Sequence, residues 1–338
     1  MIPRGVLTAT ESKPGDGPAA PGGSAIANLM ASTSRRSLIL RRMKRNWRLY
    51  AMLVPPLIYA AVFLYWPLYG MQMAFRDFSV AKGITGSPWV GLKYFRTFVD
   101  SYQFWPTIRN TLVLNVYELF AAFPIPIILA LLLNSLRWAL YRHGIQLILF
   151  APHFISTVVV VGIMVMLMDP HGGLINQVVG LFGAGPIDFL GEPSLFRHIY
   201  VWSGVWQSAG YSMVIYLAAL AGIDPALHEA ATIDGASRLR RMWHIDLPGI
   251  LPVMVVLFVL SMGNILSTGF EKVLLLQNSL NLGVSETTDT YVYKVGLQSS
   301  IPQFSYATAI GVFKSVTALI LLLCANWLAR RSTRESLF

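Results

Sequence analysis

A polar run between residues 228 and 249 interrupts a very apolar chain. It joins a carboxylate and arginines to small side chains that leave the backbone accessible at the surface. Such residues suit a rigid contact with another protein, or an amphipathic helix resting on lipid headgroups, and their composition alone does not separate the two. The residues on which these alternatives depend are Glu229, Ala230, Ala231, Asp234, Gly235, Arg238 and Arg241.

The turn signals predict that this run contains a helix, a sharp turn and a second helix. Asp224 and Pro225 are typical of an N-cap and a first helical residue, which predicts a short helix from Ala226 to about Asp234. Gly235 then supplies the positive φ that ends it.

The second helix is predicted from Ser237 to about Asp246. It is expected to stop before Pro248, since the residue preceding a proline disfavours helical backbone.

Two ionisable residues, Glu118 and Lys314, lie inside apolar segments. Each lies nine or ten positions from the same end of its segment, which predicts an equal depth of roughly 14 Å. A charge at that depth costs roughly 2.5 to 3.5 kcal/mol on insertion scales and needs a partner or a function. Two hypotheses remain open: a structural ion pair between the two residues, or a Lys314 that attracts an anionic solute while Glu118 fixes its position.

Other polar and aromatic residues could line a solute pathway. Gln207 and Tyr211 share a helical face with Ser203 and Gly210, and Asn264 of the next apolar segment could face the same space. Amides, hydroxyls and rings are the groups that sugars contact. The tryptophans on this segment fit interface anchors better.

The composition identifies the elements that must position these residues. Of 338 residues 55% are hydrophobic and only 12% charged, and the apolar residues form runs of membrane-crossing length. The runs are apolar on every face, which favours helices over barrel strands. The prediction is therefore an all-α integral membrane protein of about six transmembrane helices, at about 49–70, 108–133, 145–168, 199–221, 250–269 and 305–328.

Proline pairs are predicted to kink two of these spans. One pair is Pro55 and Pro56, and the other is Pro124 and Pro126.

Basic residues indicate the orientation of the spans. Fifteen lysines and arginines flank the predicted cytoplasmic ends and seven lie on the opposite side, so both termini and the loop 224–249 are expected in the cytoplasm. Topology and anionic headgroups explain the net charge of +10. A nucleic-acid partner is not expected, because no basic groove is interleaved with aromatics.

Two regions are distinguished along the chain. Residues 1–34 are rich in Gly, Pro, Ser and Ala and are predicted to form a disordered cytoplasmic tail, and residues 35–338 form the transmembrane domain. His171 and His198 lack metal-ligand spacing and Cys324 has no cysteine partner, so no metal site is predicted.

The loop motif resembles a known family. The run from Glu229 through Asp234 to Ala236, followed by His244 to Pro252, is similar to the EAA loop of permease subunits in binding-protein-dependent ABC importers. We therefore call residues 224–249 the EAA loop.

Two further stretches resemble the polysaccharide and oligosaccharide branch of this family: 152–176 and 263–293. Over about Asn46 to Arg334 the chain is similar to the first permease subunits of bacterial alginate importers. It departs from the family at Met242 and Lys272, where relatives often carry an aromatic residue and a glutamine. The second departure weakens any transfer of a substrate role to Lys272.

The resemblance implies a type I ABC importer transmembrane fold in the bacterial inner membrane. A second homologous permease subunit would complete the pathway, two ATP-binding subunits would hold ATP and Mg, and a periplasmic substrate-binding protein would deliver a saccharide. Glu229 and Gly235 would couple ATP hydrolysis to movement of the spans. The chain itself has no G-x-x-x-x-G-K-[ST] phosphate loop and no catalytic set, so no cofactor and no enzymatic role are expected in it.

Three functional hypotheses follow. The first is a permease of an ATP-driven importer for an oligo- or polysaccharide, with alginate or another acidic saccharide as the expected cargo. The second keeps the ATPase but changes the cargo to neutral sugars or another polar solute. The third is an ion-coupled secondary transporter, for which inverted repeats and broken helices would be typical.

Overall fold

A computed structural model of the protein describes residues 45–136, 138–263, 266 and 269–333. The predicted N-terminal tail lies outside these residues. Within them the elements are helical, apart from an isolated bridge between Arg76 and Trp89. The all-α prediction is confirmed. The chain divides into two compact units at Tyr69 and Gly70.

The first unit contains helix α1, Trp47–Tyr59, with Pro55 and Pro56 inside it. A π-helical turn, Ala60–Tyr65, follows directly, and a 3₁₀ segment, Trp66–Phe75, extends into the second unit. Both prolines lie within the continuous helix, and the π turn begins after them, at Ala60. The kink expected at this pair stays a prediction.

The second unit contains the remaining helices. In chain order they are α2 (Gly83–Gly86), α3 (Lys93–Val99), α4 (Phe104–Ala122), α5 (Pro124–Asn134), α6 (Ala139–Phe150), α7 (Thr157–Leu167), α8 (Leu174–Leu181), α9 (Pro193–Ala221), α10 (Pro225–Ile233), α11 (Arg238–Arg241), α12 (Leu247–Gly263), α13 (Phe270–Leu276), α14 (Leu282–Ser285), α15 (Thr288–Tyr293) and α16 (Phe304–Thr333).

Four to six described helical segments are long and apolar enough to be the predicted spans. Among the described residues four helical segments qualify directly, and two bent pairs bring the number to as many as six. The direct segments are Trp47–Phe75, Phe104–Asn134, Arg238–Gly263 and Phe304–Cys324; the bent pairs are Ala139–Phe154 with Thr157–Leu167 and Pro193–Ala221 with Pro225–Ile233.

The third span is not the single helix predicted over 145–168. Its two parts meet at an angle of 96°. Ile155 and Ser156 are extended, and the hydroxyl of Ser156 accepts from Val159 N at 3.4 Å, as an N-cap does. Pro152, in the 3₁₀ turn before the break, cannot donate a backbone hydrogen bond.

The second helix of the EAA loop also differs from the prediction. It does not stop before Pro248, since α11 continues through a π turn, Met242–Asp246, straight into α12. Pro248 is the second residue of α12. Because the preceding π turn already alters the backbone hydrogen-bond pattern there, a residue without an N–H is tolerated. The loop is thus mechanically continuous with the fifth span.

Helix α9 lies at the centre of the second unit. Its N-terminal half contributes Phe196 and Val201 to a buried cluster that also contains Leu114 of α4 and Val160 of α7. Its other half contributes to a second cluster, made by Ile127, Leu131, Met213, Tyr216 and Ile250.

Gly210 permits a close crossing on α9. A Cβ atom there would lie 1.9 Å from the carbonyl oxygen of Leu149, at the end of α6. Only glycine therefore fits at this crossing.

Short helices α14 and α15 fold back onto α4. The buried Asn110 amide donates to the carbonyls of Gly283 at 3.0 Å and Glu286 at 3.1 Å. Thr111 and Thr288 share a hydroxyl contact of 3.1 Å. These bonds satisfy polar backbone that would otherwise be unpaired in an apolar setting.

Candidate functional site

The EAA loop opens with a short helix that is capped at both ends. The Asp224 side chain accepts from Ala226 N at 2.9 Å. At the other end Gly235 has φ +73°, while Gly235 N bonds to Thr232 O at 3.1 Å and Ala236 N to Ala231 O at 2.9 Å. This pair of bonds is a Schellman motif. The predicted start of α10 and its glycine stop are confirmed.

Both charged and apolar residues of this loop are exposed. Glu229, Ala230, Asp234 and Arg238 are exposed, whereas Ala231 and Arg241 are half-buried. Large apolar side chains are exposed beside them, namely Leu227, Ile233, Leu239 and Trp243. Exposed apolar groups ringed by charge are typical of a protein-binding surface.

The inner side of the loop holds a small polar cavity of about 340 Å³. His228 Nε2 lies 3.2 Å from Asp246 Oδ1 there, and Asp246 is buried. The neighbouring Arg241 donates from Nη1 to Thr232 Oγ1 at 2.6 Å. The cavity is also lined by Asn134, Ser135, Leu136 and Arg238.

Glu118 of α4 lies beside Lys272 of α13, so the hypothesis of a Glu118–Lys314 ion pair is wrong. The Lys272 ammonium donates to the carbonyl of Tyr200 at 2.9 Å, and the Tyr200 hydroxyl accepts from Gly269 N at 3.0 Å. A Cβ on Gly204 would lie 3.3 Å from Lys272 Nζ and 3.5 Å from Glu118 Oε1. Equal depth did not predict the pairing, because rotation about each helix axis decides which residues meet.

Lys314 pairs with Asp289 of α15, with Nζ 2.5 Å from Oδ1. Both line a groove of about 740 Å³ between α15 and α16, together with the rings of Phe270 and Tyr293. Asp289 was missed because it lies outside the predicted spans. A threonine-rich capping signal, in which Thr287 accepts from Thr290, could have indicated the short helix that carries it.

Of the other predicted pathway residues, Gln207 supports the break in the third span. Its Nε2 donates to Ile155 O at 2.7 Å. Tyr211 is half-exposed and stacks on the exposed ring of His153, with ring centroids 4.0 Å apart and planes at 12°. Asn264 lies outside the described residues.

A second cavity, of about 400 Å³, lies between α4, α9 and α12. Its polar lining comes from Asn115, Glu118, Ser212, Tyr216 and Ser261. The structure thus places Glu118 in the lining of this cavity, whereas Lys314 lines the groove between α15 and α16.

The family is shown by comparison with known proteins. The family described as "Binding-protein-dependent transport system inner membrane component" matches residues 104–334. This range is more than half of the chain, so the chain belongs to that family. The resemblance drawn from the EAA motif is confirmed.

Two curated relatives from Bacillus subtilis (strain 168) are similar over most of their length. The polygalacturonan/rhamnogalacturonan transport system permease protein YteP is 44% identical over 312 residues, which are 92% of this chain and 96% of that protein. Protein LplB is 42% identical over 296 residues, 88% of this chain and 92% of that protein.

Solved structures show the same fold. A bacterial ABC transporter involved in the import of the acidic polysaccharide alginate contains a chain that is 40% identical, with a TM-score of 0.80. The match covers 87% of this chain and 99% of that one. A bacterial alginate ABC transporter in complex with an alginate pentasaccharide-bound periplasmic protein matches at 39% identity with the same TM-score.

Proposed function

We propose that this chain is the permease subunit of an ATP-driven importer that forms a saccharide pathway with a second permease subunit. The EAA loop is the observation that carries the proposal. It presents a short, doubly capped helix with an exposed carboxylate and apolar side chains, and it continues without a break into the fifth span. That form suits a joint between a soluble motor and membrane helices.

The partners follow from this proposal. ATP and Mg are held by two ATP-binding subunits, which contact the loop through Glu229, Ala230, Asp234 and Arg238. A periplasmic binding protein delivers the cargo from the opposite side. The subunit lies in the inner membrane with both termini cytoplasmic, as the distribution of lysine and arginine favours.

An acidic polysaccharide is the proposed cargo. Support comes from the alginate importer at 40% identity and from the polygalacturonan/rhamnogalacturonan relative at 44%. The cavity between α4, α9 and α12 and the groove between α15 and α16 both present aromatic rings and hydroxyls, which suit an acidic or a neutral saccharide.

A neutral saccharide is the second candidate, and the charges within the spans favour it. Lys314 is paired with Asp289 and Lys272 lies beside Glu118. Each lysine is therefore already compensated by a carboxylate, which weakens its attraction for an anionic sugar.

Purification of the tagged protein in mild detergent tests the proposal. We expect a second permease and a P-loop ATPase to co-purify, with ATP hydrolysis stimulated by a binding protein loaded with acidic oligosaccharide. A lone polypeptide that transports without ATP would overturn the proposal and favour a secondary transporter.

Lys314→Met tests the cargo. If Lys314 contacts an acidic sugar, uptake of the acidic oligosaccharide falls while uptake of a neutral one of equal length does not. Equal uptake of both by a normally assembled variant would exclude the contact, and preferential competition by neutral oligosaccharides in the wild type would favour the second candidate.

A further inference from the structure

Two side chains on one face of α10 bind the helix that leads into the fifth span. His228 and Thr232 are one turn apart and so share a face. His228 contacts Asp246 at 3.2 Å, and Thr232 accepts from Arg241 at 2.6 Å. Arg241 is the last residue of α11, and Asp246 is the last residue of the π turn that follows it.

Two side-chain contacts thus join α10 to the helix that follows. The Thr232 hydroxyl also donates to the His228 carbonyl of its own helix at 2.6 Å. Asp246 is only 7% exposed, and its Oδ1 atom, which faces His228, has no hydrogen-bond partner among the described residues. A buried carboxylate that lacks partners is costly, so the contact with His228 matters more for Asp246 than it would for an exposed carboxylate.

The backbone turn between α10 and α11 transmits movement poorly. The backbone passes from α10 to α11 through Gly235, whose φ is +73° and around which a Cβ atom would meet nothing within 4 Å. Glycine is the most permissive residue at such a turn. Without side-chain contacts, movement of α10 would be absorbed by the turn.

We propose that His228 and Thr232 are positioning residues that make α10 and the start of the fifth span move as one body, through Asp246 and Arg241. We call these four residues the clamp. The inference rests on the proposed function, because it concerns how movement of the EAA loop reaches the spans.

The clamp lies beside the exposed surface of α10 and shares Thr232 with it. Thr232 and Glu229 are exposed and Ile233 is 87% exposed, whereas His228 is half-buried and Asp246 is buried. Because His228→Ala and Thr232→Val leave Glu229 and Ile233 in place and keep residue 232 close to its original size, we expect the double change to alter the transmission of movement rather than assembly.

The test uses the complete complex in proteoliposomes with its loaded binding protein, and measures transport and ATP hydrolysis together. We expect His228→Ala combined with Thr232→Val to lower transport per ATP by about fivefold or more, the lower end of couplings between sites. Co-purification of the ATPase is expected to stay normal. His244→Ala is the matched control, because this exposed histidine contacts only the Arg240 carbonyl of its own helix among the bonds described.

Cross-linking separates a clamp from a merely structural contact. The first variant carries His228→Cys and Asp246→Cys in a Cys324→Ser background. While both new thiols are reduced, we expect it to transport little substrate per ATP hydrolysed. A short bis-methanethiosulfonate cross-linker, which forms a reducible disulfide with each cysteine and releases methanesulfinate, should restore transport per ATP, because it replaces the lost link. A charge swap, His228→Asp with Asp246→His, should restore coupling in the same way.

Wild-type coupling in the His228→Ala, Thr232→Val variant overturns the clamp, as does a cross-linked pair that stays uncoupled. Failure of the proposed function is distinguishable, because the unmodified complex would then show no ATP-dependent transport at all.

Discussion

At the residue scale, Lys272 is the clearest case of a buried charge that needs compensation, because its ammonium group is removed from solvent. It is 8% exposed and lies under the ring of Tyr200, with Nζ 5.1 Å from the ring centroid. Glu118 supplies the compensating charge, and Gly204 leaves room for both. An isolated buried charge is far more costly than a buried pair or a neutral pair of similar shape.

Removal of the Glu118 charge alone should therefore lower the stability of the protein more than removal of both charges. We expect Glu118→Gln to destabilise the protein by about 1 to 3 kcal/mol, the usual cost of leaving a buried polar group without its partner. Adding Lys272→Met should recover much of that loss. Thermal unfolding in detergent, followed by size-exclusion chromatography, measures both. A Glu118→Gln variant as stable as the wild type would show that the two charges do not depend on each other.

Gly210 gives a second prediction, because it is the point where α9 crosses the end of α6. Gly210→Ala places a methyl group against the Leu149 carbonyl and should cost about 1 to 3 kcal/mol through overpacking. Gly162→Ala is the control, since a Cβ there meets nothing within 4 Å and alanine favours the helix. The same thermal assay checks both, and equal melting temperatures would contradict the close crossing.

Sequence predicted the residues whose partners are local. Asp224 and Gly235 cap α10 as expected, because caps depend on neighbours within a few positions. The partners of Glu118 and Lys314 were not predictable in this way. They lie on α13 and α15, two short helices whose placement depends on tertiary packing.

At the element scale, the break in the third span shows where hydropathy is uninformative. The apolar run continues through residues 145–168, so its composition predicts one helix. The break depends instead on Ser156 as an N-cap and on a carbonyl, Ile155 O, that is bonded by Gln207 from α9. A tertiary hydrogen bond of this kind leaves no trace in the local pattern.

The turn at the end of α10 gives the prediction for this scale. Proline fixes φ near −65°, so Gly235→Pro cannot keep the observed φ of +73°. We expect it to reduce transport per ATP hydrolysed, with insertion into the membrane unchanged, because the loop no longer presents α10 correctly. Glu229→Lys should act in the same direction by reversing the charge of the exposed surface.

Gly183→Pro is the control for backbone strain. Gly183 has φ +81° and open space around it, as Gly235 has, but it lies in the segment after α8. If both variants lose transport equally, strain alone explains the effect. If neither does, the EAA loop does not carry the coupling.

At the scale of the whole molecule, the exposed apolar side chains of the described helices fit contact with lipid or with partner subunits. No residue of α1 is buried, although its sequence is strongly apolar. Apolar side chains on such a helix need contact with hydrocarbon or another apolar surface. The orientation of these helices in the bilayer decides which partner meets which loop.

Two isoleucines offer a direct measurement of that orientation. Ile233 in the EAA loop is 87% exposed, and Ile301, before α16, is 79% exposed. In a Cys324→Ser background, we expect Ile301→Cys to react with a membrane-impermeant maleimide in intact spheroplasts. Ile233→Cys should react only after permeabilisation, because the excess of lysine and arginine favours a cytoplasmic position for its loop.

Both positions should react fully in detergent, and this control confirms that each thiol is accessible. The two residues are of the same type and similarly exposed, so a difference in intact cells reports the side of the membrane rather than local reactivity. The reverse pattern would place the EAA loop outside, where no ATP-hydrolysing subunit could reach it, and would contradict the topology and the proposed coupling together.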